Sequence, residues 1–296
     1  MEVDRRPVQR AMAAGLLALV LGAGAAAAQP EEAWRISGFK QPESVLYDPE
    51  RGVFYVSNVN GSPTEKDGNG HISKVGRDGQ IEERQWVTGL DAPKGMALVG
   101  NRLYVSDIDR LVAIDVAEGE VIDRYPAAGA KFLNDVTADS AGRVFVSDMM
   151  TDTIHVLNEG SGTFEPWLRD EALMSPNGLL AEDDRLVVAA WGETTESGET
   201  TTPGHLKTVD YGSKTVRSLG DGSPVGNLDG VEAIGNGAYL VTDWIAGALF
   251  RIDASGKAER LLDLNQGSAD LEYVAADGLA LVPMMMDGTV VAYRIE

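Results

Sequence analysis

A short motif recurs six times along the chain, and this repetition limits the folds that the sequence can adopt. In each copy one polar residue follows Pro, Leu or Ala and precedes a short apolar stretch. We call these residues the anchors: Glu43, Lys94, Asn134, Asn177, Asp229 and Asp270. Successive anchors lie about 40 to 50 residues apart, a period typical of propellers, solenoids and other repeat folds.

Each anchor is followed by a turn signal and then by further short strand-like segments. The second segment is similar in most units, for example Val-Phe-Tyr-Val-Ser-Asn at 53–58 and Val-Phe-Val-Ser-Asp at 144–148. A third segment follows in every unit and a fourth in five of them. Short alternating strands separated by turn residues predict the four-stranded antiparallel blades of a β-propeller. A β-sandwich is the alternative all-β fold, but it does not explain six evenly spaced anchors.

The two ends of the chain complement each other. The sixth unit stops at Glu296 after its third strand, whereas residues 33–39 precede the first anchor as a fourth strand would. If this N-terminal strand completes the last blade, the ring closes and two exposed strand edges disappear. The sequence therefore predicts one all-β domain over residues 29–296, a six-bladed propeller closed by its N-terminal strand.

Residues 1–28 have the pattern of a signal peptide. Three arginines within the first ten residues precede an apolar run at 11–25, and three alanines at 26–28 offer a cleavage site. The run is short for a membrane span, and no second long apolar stretch follows. We therefore expect cleavage near Gln29 and a soluble protein in the periplasm or outside the cell. The chain has no cysteine, so its stability must come from its core.

The net charge of the chain limits its partners. Its 46 acidic and 25 basic residues give a formal charge of -21, which argues against nucleic acid and against anionic membrane surfaces. The same charge suits a cation site or a small neutral substrate. The sequence gives no indication about a protein partner.

The anchors predict a ring of polar side chains at one mouth of the central channel, because the first strand of each propeller blade lines that channel. Five anchors carry a side-chain oxygen, and Lys94 is a cation. Hard divalent ions prefer oxygen ligands, so calcium is the first expectation, with magnesium, manganese or zinc as alternatives. The three histidines lie outside the ring. The alternative is that each Asx anchor only caps a turn.

The motifs Leu-Asn-Asp, Pro-Asn-Gly-Leu and Leu-Asp-Gly around Asn134, Asn177 and Asp229 carry a resemblance. With Glu43 on the first blade, their order resembles that of the SMP-30/gluconolactonase family. It is similar more remotely to diisopropyl fluorophosphatase and the paraoxonases. The resemblance implies a six-bladed propeller that hydrolyses lactones or esters at a divalent ion, with these four residues as metal ligands. It also implies that Asp229 is the catalytic base or nucleophile, and the sequence leaves both open.

Substrate binding is expected at Lys94 and Asp270 on the ring and at Trp191 on a loop above it. Two departures from the gluconolactonase pattern concern the substrate. Phe132 and Leu133 directly precede Asn134 where that branch has an arginine for the sugar acid. Lys94 would either hold a substrate carboxylate or weaken the ion. The alternative function is a non-catalytic propeller that binds a ligand or protein and uses the ion only for structure.

Overall fold

The structure, a computed structural model, describes residues 1–2, 29–158, 160–195 and 198–295. The predicted signal peptide lies outside these residues, apart from its first two positions. The described residues contain one 3₁₀ helix, Glu171–Leu173, and otherwise only strands, turns and loops. No helix among them has the length and apolar character needed to cross a membrane.

The chain forms six four-stranded antiparallel sheets, which are the predicted blades. Blade one consists of β2 (Pro42–Asp48), β3 (Val53–Asn58), β4 (Gly70–Gly76) and β5 (Ile81–Leu90). Blade two consists of β6 (Pro93–Val99), β7 (Arg102–Asp107), β8 (Arg110–Asp115) and β9 (Glu120–Pro126). Blade three consists of β10 (Leu133–Ala138), β11 (Arg143–Asp148), β12 (Thr153–Asn158) and β13 (Thr163–Arg169).

The other three blades have the same plan with two variations. Blade four consists of β14 (Pro176–Ala181), β15 (Arg185–Ala190), β18 (Leu206–Asp210) and β19 (Val216–Ser218). A separate hairpin, β16 (Gly192–Thr194) with β17 (Thr200–Pro203), interrupts it. Blade five consists of β20 (Leu228–Gly235), β21 (Ala238–Asp243), β22 (Ala248–Ile252) and β23 (Ala258–Asp263). Blade six consists of β24 (Glu272–Val274), β25 (Leu279–Met284), β26 (Thr289–Arg294) and the N-terminal β1 (Glu31–Ser37).

The N-terminal strand closes the ring as predicted. β1 pairs antiparallel with β26, from Glu31 opposite Arg294 to Ser37 opposite Thr289. Its apolar residue Ile36 packs in one core cluster with Phe54 of blade one. The first strands of neighbouring blades contact one another around the whole ring, so they surround a central channel.

The core lies between the blades, and this explains the strand sequences. All six residues of β3 are buried, because inner strands are covered on both faces by neighbouring blades. One core cluster joins Tyr55 and Ile72 of blade one to Val105 and Ile114 of blade two. In contrast, no residue of the outer strand β9 is fully buried. The sequences of the inner strands are therefore nearly continuous apolar runs, while those of the outer strands are mostly polar.

Candidate functional site

Five of the six predicted anchors line one cavity at the mouth of the channel. Each is the second residue of the first strand in its blade, and each is buried: Glu43, Lys94, Asn134, Asn177 and Asp229. The cavity has a volume of about 900 Å³ and is open to solvent on one side. We call these five residues the mouth ring. The repeat therefore converts five residues that are far apart in sequence into one site.

The prediction that Asp270 is the sixth anchor is wrong by one residue. In blade one, Pro42 pairs with Asn58 and directly precedes the anchor. The corresponding pair in blade six is Ser268 with Met284, so Ala269 occupies the anchor position. The first core residue, such as Leu271, follows two positions after a true anchor and only one after Asp270. The apparent match of Asp270 to the motif concealed this spacing.

Asp270 lies one layer deeper in the channel. Its N–H donates to the carbonyl of Glu43 at 2.9 Å, and its carboxylate accepts a hydrogen bond from the Ser44 hydroxyl at 2.6 Å. It lines a second cavity of about 410 Å³ at the other end of the channel, together with Glu232 and Glu272. Burial raises the pKa of Asp270 to about 7. The mouth cavity does not include it among its lining residues.

The side chains of the mouth ring are connected across three consecutive blades. The amide of Asn134 donates to the side-chain carbonyl of Asn177. The Asn177 amide in turn donates to Asp229 Oδ2 at 3.2 Å and to the main-chain carbonyl of Leu228 at 3.2 Å. On blade one, Glu43 Oε2 is buried and has no hydrogen-bond partner. A buried, unpaired carboxylate oxygen is costly, and a cation or a ligand proton would satisfy it.

Burial and like charges make the mouth ring unfavourable for anions. Burial raises the pKa of Glu43 well above its usual range, and the charges of Asp229 and Asp270 add to this effect. Burial likewise raises the pKa of Asp229, with Asp270 as the next cause. A divalent cation would remove this repulsion.

The donor set of the ring fits a hard cation of the calcium type. Among the described residues, no group of three or more His, Cys, Asp or Glu side chains is placed to hold a metal. The ring offers only two carboxylates, so an ion there would also need the amide oxygens of Asn134 and Asn177. Calcium accepts carboxylate and amide oxygens together and tolerates loose geometry, whereas zinc prefers nitrogen and sulfur.

Lys94 is the cation of the mouth ring and is 2% exposed. Its ammonium donates to the carbonyls of Ala92 at 3.0 Å and Pro63 at 3.2 Å. It also lies 4.5 Å from the centroid of the Phe132 ring. Burial lowers the pKa of Lys94 to about 8, although the charge of Glu43 opposes the shift. These contacts hold the ammonium at the edge of the ring, beside Phe132.

The ends of the second strands position the anchors, and sequence reasoning missed this role. The carboxylate of Asp148 accepts hydrogen bonds from the N–H groups of Lys131 and Phe132, both at 3.0 Å, and so holds the loop before Asn134. The neighbouring Ser147 hydroxyl accepts from the N–H of Asp135 at 2.9 Å and donates to the carbonyl of Asn177 at 2.7 Å. The repeated Ser-Asp pair in the second segments was the available signal.

The same pattern of hydroxyl hydrogen bonds confirms the position of the sixth anchor. In blade five, the Thr242 hydroxyl accepts from the N–H of Gly230 at 2.9 Å and donates to the carbonyl of Ala269 at 2.9 Å. Ala269 thus receives the bond that Asn177 receives from Ser147 in blade three. Each hydroxyl ties the first strand of its own blade to the anchor of the next blade.

Two long loops, one in blade one and one in blade four, reach the mouth cavity. Pro63 of the blade-one loop and Thr194 of the blade-four hairpin both line it. Trp191, which directly precedes that hairpin, also lines the cavity and lies with its ring 6.3 Å from that of Trp244. The predicted substrate residues Lys94 and Trp191 are therefore in one cavity.

Comparison with known proteins supports the fold. No protein-family model matches the sequence, and no curated protein matches it. A gluconolactonase from Xanthomonas campestris has a TM-score of 0.68 and 12% identity, covering 91% of this chain and 95% of that chain. A streptogramin B lyase has a TM-score of 0.61 and 12% identity, covering 89% and 98%. A catalytically inactive His-to-Ala variant of virginiamycin B lyase from Staphylococcus aureus, solved with quinupristin, has a TM-score of 0.60 and 13% identity, covering 89% and 99%. At such identities the likeness shows the propeller fold alone.

Proposed function

We propose that this chain is a hydrolase of lactones or esters that depends on a divalent cation, with calcium as the preferred ion. The ligands would be Glu43, Asn134, Asn177 and Asp229. The observation that carries the proposal is the buried Glu43 oxygen without a partner, in a ring with three other oxygen-bearing side chains. The gluconolactonase shares the propeller fold, and that fold is compatible with this reaction class.

The chemistry that a divalent ion supplies at such a site is polarisation of the scissile carbonyl and stabilisation of the charge that develops on its oxygen. Asp229 would take a proton from the attacking water, whose oxygen bonds to the carbonyl carbon. The ester C–O bond then breaks, and Asp229 returns the proton to the leaving alkoxide. The bond from Asn177 fixes the orientation of the Asp229 carboxylate for this transfer.

Direct attack by Asp229 on the carbonyl is the alternative mechanism. A single turnover in isotopically labelled water distinguishes the two. If Asp229 is the base, the label enters the product acid in the first turnover. If it is the nucleophile, a mixed anhydride forms, and attack of water on its Asp229 carboxyl carbon places the label in the Asp229 carboxylate instead.

Substrate contacts would come from Lys94 and Trp191. The Lys94 ammonium has three N–H donors and binds two main-chain carbonyls, and a further N–H would bind a substrate oxygen. A lyase reaction is the less supported reading, because no histidine lines the mouth among the residues that the structure describes. The inactive His-to-Ala variant indicates that a histidine is needed in virginiamycin B lyase.

The test is a panel of lactones and aryl esters, measured with calcium and with EDTA. We expect hydrolysis that requires calcium and that is lost in Asp229→Asn and Glu43→Gln. Asp253→Asn, on a turn outside the mouth, is the matched control and should keep full activity. Hydrolysis that is equally fast in EDTA would exclude a metal-dependent mechanism.

A non-catalytic propeller that binds a ligand or protein is the second candidate function. The observation that favours it is the burial of the Lys94 ammonium in the mouth ring. The buried Lys94 ammonium, whose pKa is influenced by the charge of Glu43, already supplies positive charge to the ring without an ion. If calcium binds but none of the panel reacts, the ion has a structural role and the mouth is a binding site.

A further inference from the structure

The residue that follows the second strand is apolar in every blade. These six residues form what we call the apolar collar: Val59, Ile108, Met149, Trp191, Trp244 and Met285. Residues that leave a strand end for a loop are usually polar or turn-forming. Five collar residues line the mouth cavity, and Ile108 packs behind it in one cluster with Val59 and Met285. A collar repeated around the ring is therefore a feature of the mouth and not of one loop.

The backbone holds the collar directly above the mouth ring. The N–H of Trp191 donates to the carbonyl of Ser175 at 3.0 Å, and that of Trp244 to Asn227 at 3.1 Å. Each acceptor is the residue two positions before the anchor of its own blade. The same bond occurs in three further blades: Val59 to Gln41, Met149 to Phe132 and Met285 to Gly267. The repeat thus places the main chain of these five collar residues at a constant position relative to the anchor of the same blade.

The accessible part of the collar lies on blades three to six. Val59 and Ile108 are buried, whereas Met149, Trp191, Trp244 and Met285 are only half-buried and present surface to the cavity. The two tryptophan rings lie 6.3 Å apart at an interplanar angle of 47°, so they form a continuous wall. Ile245 extends this wall on blade five and is 45% exposed.

The half-exposed aromatic and methionine side chains lie above the buried polar mouth ring. This arrangement predicts that the apolar part of a ligand contacts the collar and its polar part contacts the mouth ring. Apolar ligand surface that displaces water from the wall gains free energy, and methionine adapts to different apolar shapes. A hydroxyl placed against the same wall loses its bonds to water without replacement. The wall therefore favours ligands that present a continuous apolar surface over ligands whose faces all carry hydroxyls.

We propose that the substrate is an ester or lactone with a bulky apolar group that packs against Trp191, Trp244 and Met285. A sugar lactone, with a hydroxyl on most carbons, presents less apolar surface to this wall. The inference rests on the proposed function for the reacting group and on the collar for the apolar group.

The kinetic test is a series of γ-lactones from γ-butyrolactone to γ-dodecalactone, with gluconolactone added, all at one calcium concentration. We expect kcat/KM to rise along the series, by up to about fourfold for each fully buried methylene, and gluconolactone to be the poorest substrate. Met285→Ala and Trp244→Ala should flatten the series. Met286→Ala is the matched control, because Met286 is the next residue, is 62% exposed and does not line the cavity. A flat series for the parent, or a preference for gluconolactone, would overturn the inference.

A binding measurement separates this inference from the proposed function. The probe is the γ-lactam with the alkyl chain of γ-dodecalactone, titrated calorimetrically into the parent, Met285→Ala and Met286→Ala. Binding that weakens only in Met285→Ala supports the collar, even if no ester is hydrolysed. If lactones are hydrolysed without chain-length dependence and the lactam does not bind, the collar inference fails while the proposed hydrolase stands.

Discussion

The Asn177 amide donates to Asp229 Oδ2 at 3.2 Å and accepts from the Asn134 amide, so side chains of three consecutive blades orient one another at the channel mouth. Glu43 takes no part in this chain of hydrogen bonds and keeps one buried oxygen unpaired. The side chains of the mouth ring are therefore held by hydrogen bonds on blades three to five, whereas on blade one the Glu43 carboxylate keeps an unpaired oxygen.

The first prediction concerns the ion. Calcium at 100 times its dissociation constant should raise the free energy of unfolding by about 2.7 kcal/mol, because it binds only the folded ring. Glu43→Gln and Asp229→Asn should lose this effect, and Asn134→Ala should weaken it less, since an amide contributes less than a carboxylate. Thermal unfolding with and without calcium is the measurement, and Asp253→Asn is the control. If calcium, magnesium, manganese and zinc all fail to bind, the ring is not a metal site.

Lys94→Met should tighten calcium binding, by about tenfold if it removes 1.4 kcal/mol of repulsion. The reason is that the buried Lys94 ammonium opposes a second cation in the same ring. Lys131→Met, on the same rim but exposed, should have a smaller effect because solvent screens its charge. The measurement is a calorimetric titration of each variant with calcium. Weaker calcium binding by Lys94→Met would mean that the lysine is needed for the ion to bind.

The acids in the deeper part of the channel predict how stability depends on pH without metal. Burial raises the pKa of Asp270 and of Glu272 to about 7, from ordinary values of 3.8 and 4.5. A raised pKa in the folded state favours the protonated form, so the contribution to stability is full below about pH 4 and is lost as pH rises through 7. In EDTA, urea unfolding should show higher stability at pH 5.5 than at pH 8, beyond the effect of net charge. The double variant Asp270→Asn, Glu272→Gln should reduce that difference, and an unchanged difference would contradict the assignment.

Thr242→Val should lower the free energy of unfolding by about 1–3 kcal/mol, because it leaves the Gly230 N–H and the Ala269 carbonyl buried without their partner. Valine keeps the shape of the side chain and removes only the hydroxyl. Thr163→Val, on an exposed outer strand, is the control and should change stability little. Urea unfolding measures both, and equal effects would show that the hydroxyl bridge is not important.

Removal of residues 1–39 should destabilise the protein by several kcal/mol, because blade six would lose its fourth strand and the ring would reopen. The matched control removes residues 1–28 only and keeps β1. The measurement is the melting temperature of each of the two forms. Equal melting temperatures would argue against a contribution of β1 to stability.

The fold could be predicted from the sequence because a propeller repeats one local unit. The six motifs, the alternating segments and the surplus N-terminal strand each report a local property, and their sum specifies six blades and the closure by β1. The blade-four loop was less predictable. There β16 (Gly192–Thr194) pairs with β17 (Thr200–Pro203), and this pairing depends on contacts that composition does not reveal.

The sequence by itself determined that Glu43, Lys94, Asn134, Asn177 and Asp229 share one ring, because equivalent positions in a closed repeat must meet. Only the tertiary structure decided that Ala269, and not Asp270, completes it, since one residue of register changes which layer of the channel a side chain enters. The tertiary structure also decided that Glu43 keeps an unpaired oxygen and that the residues after the second strands form a collar. Hydrogen bonds and burial between blades set both features, and no single repeat contains them.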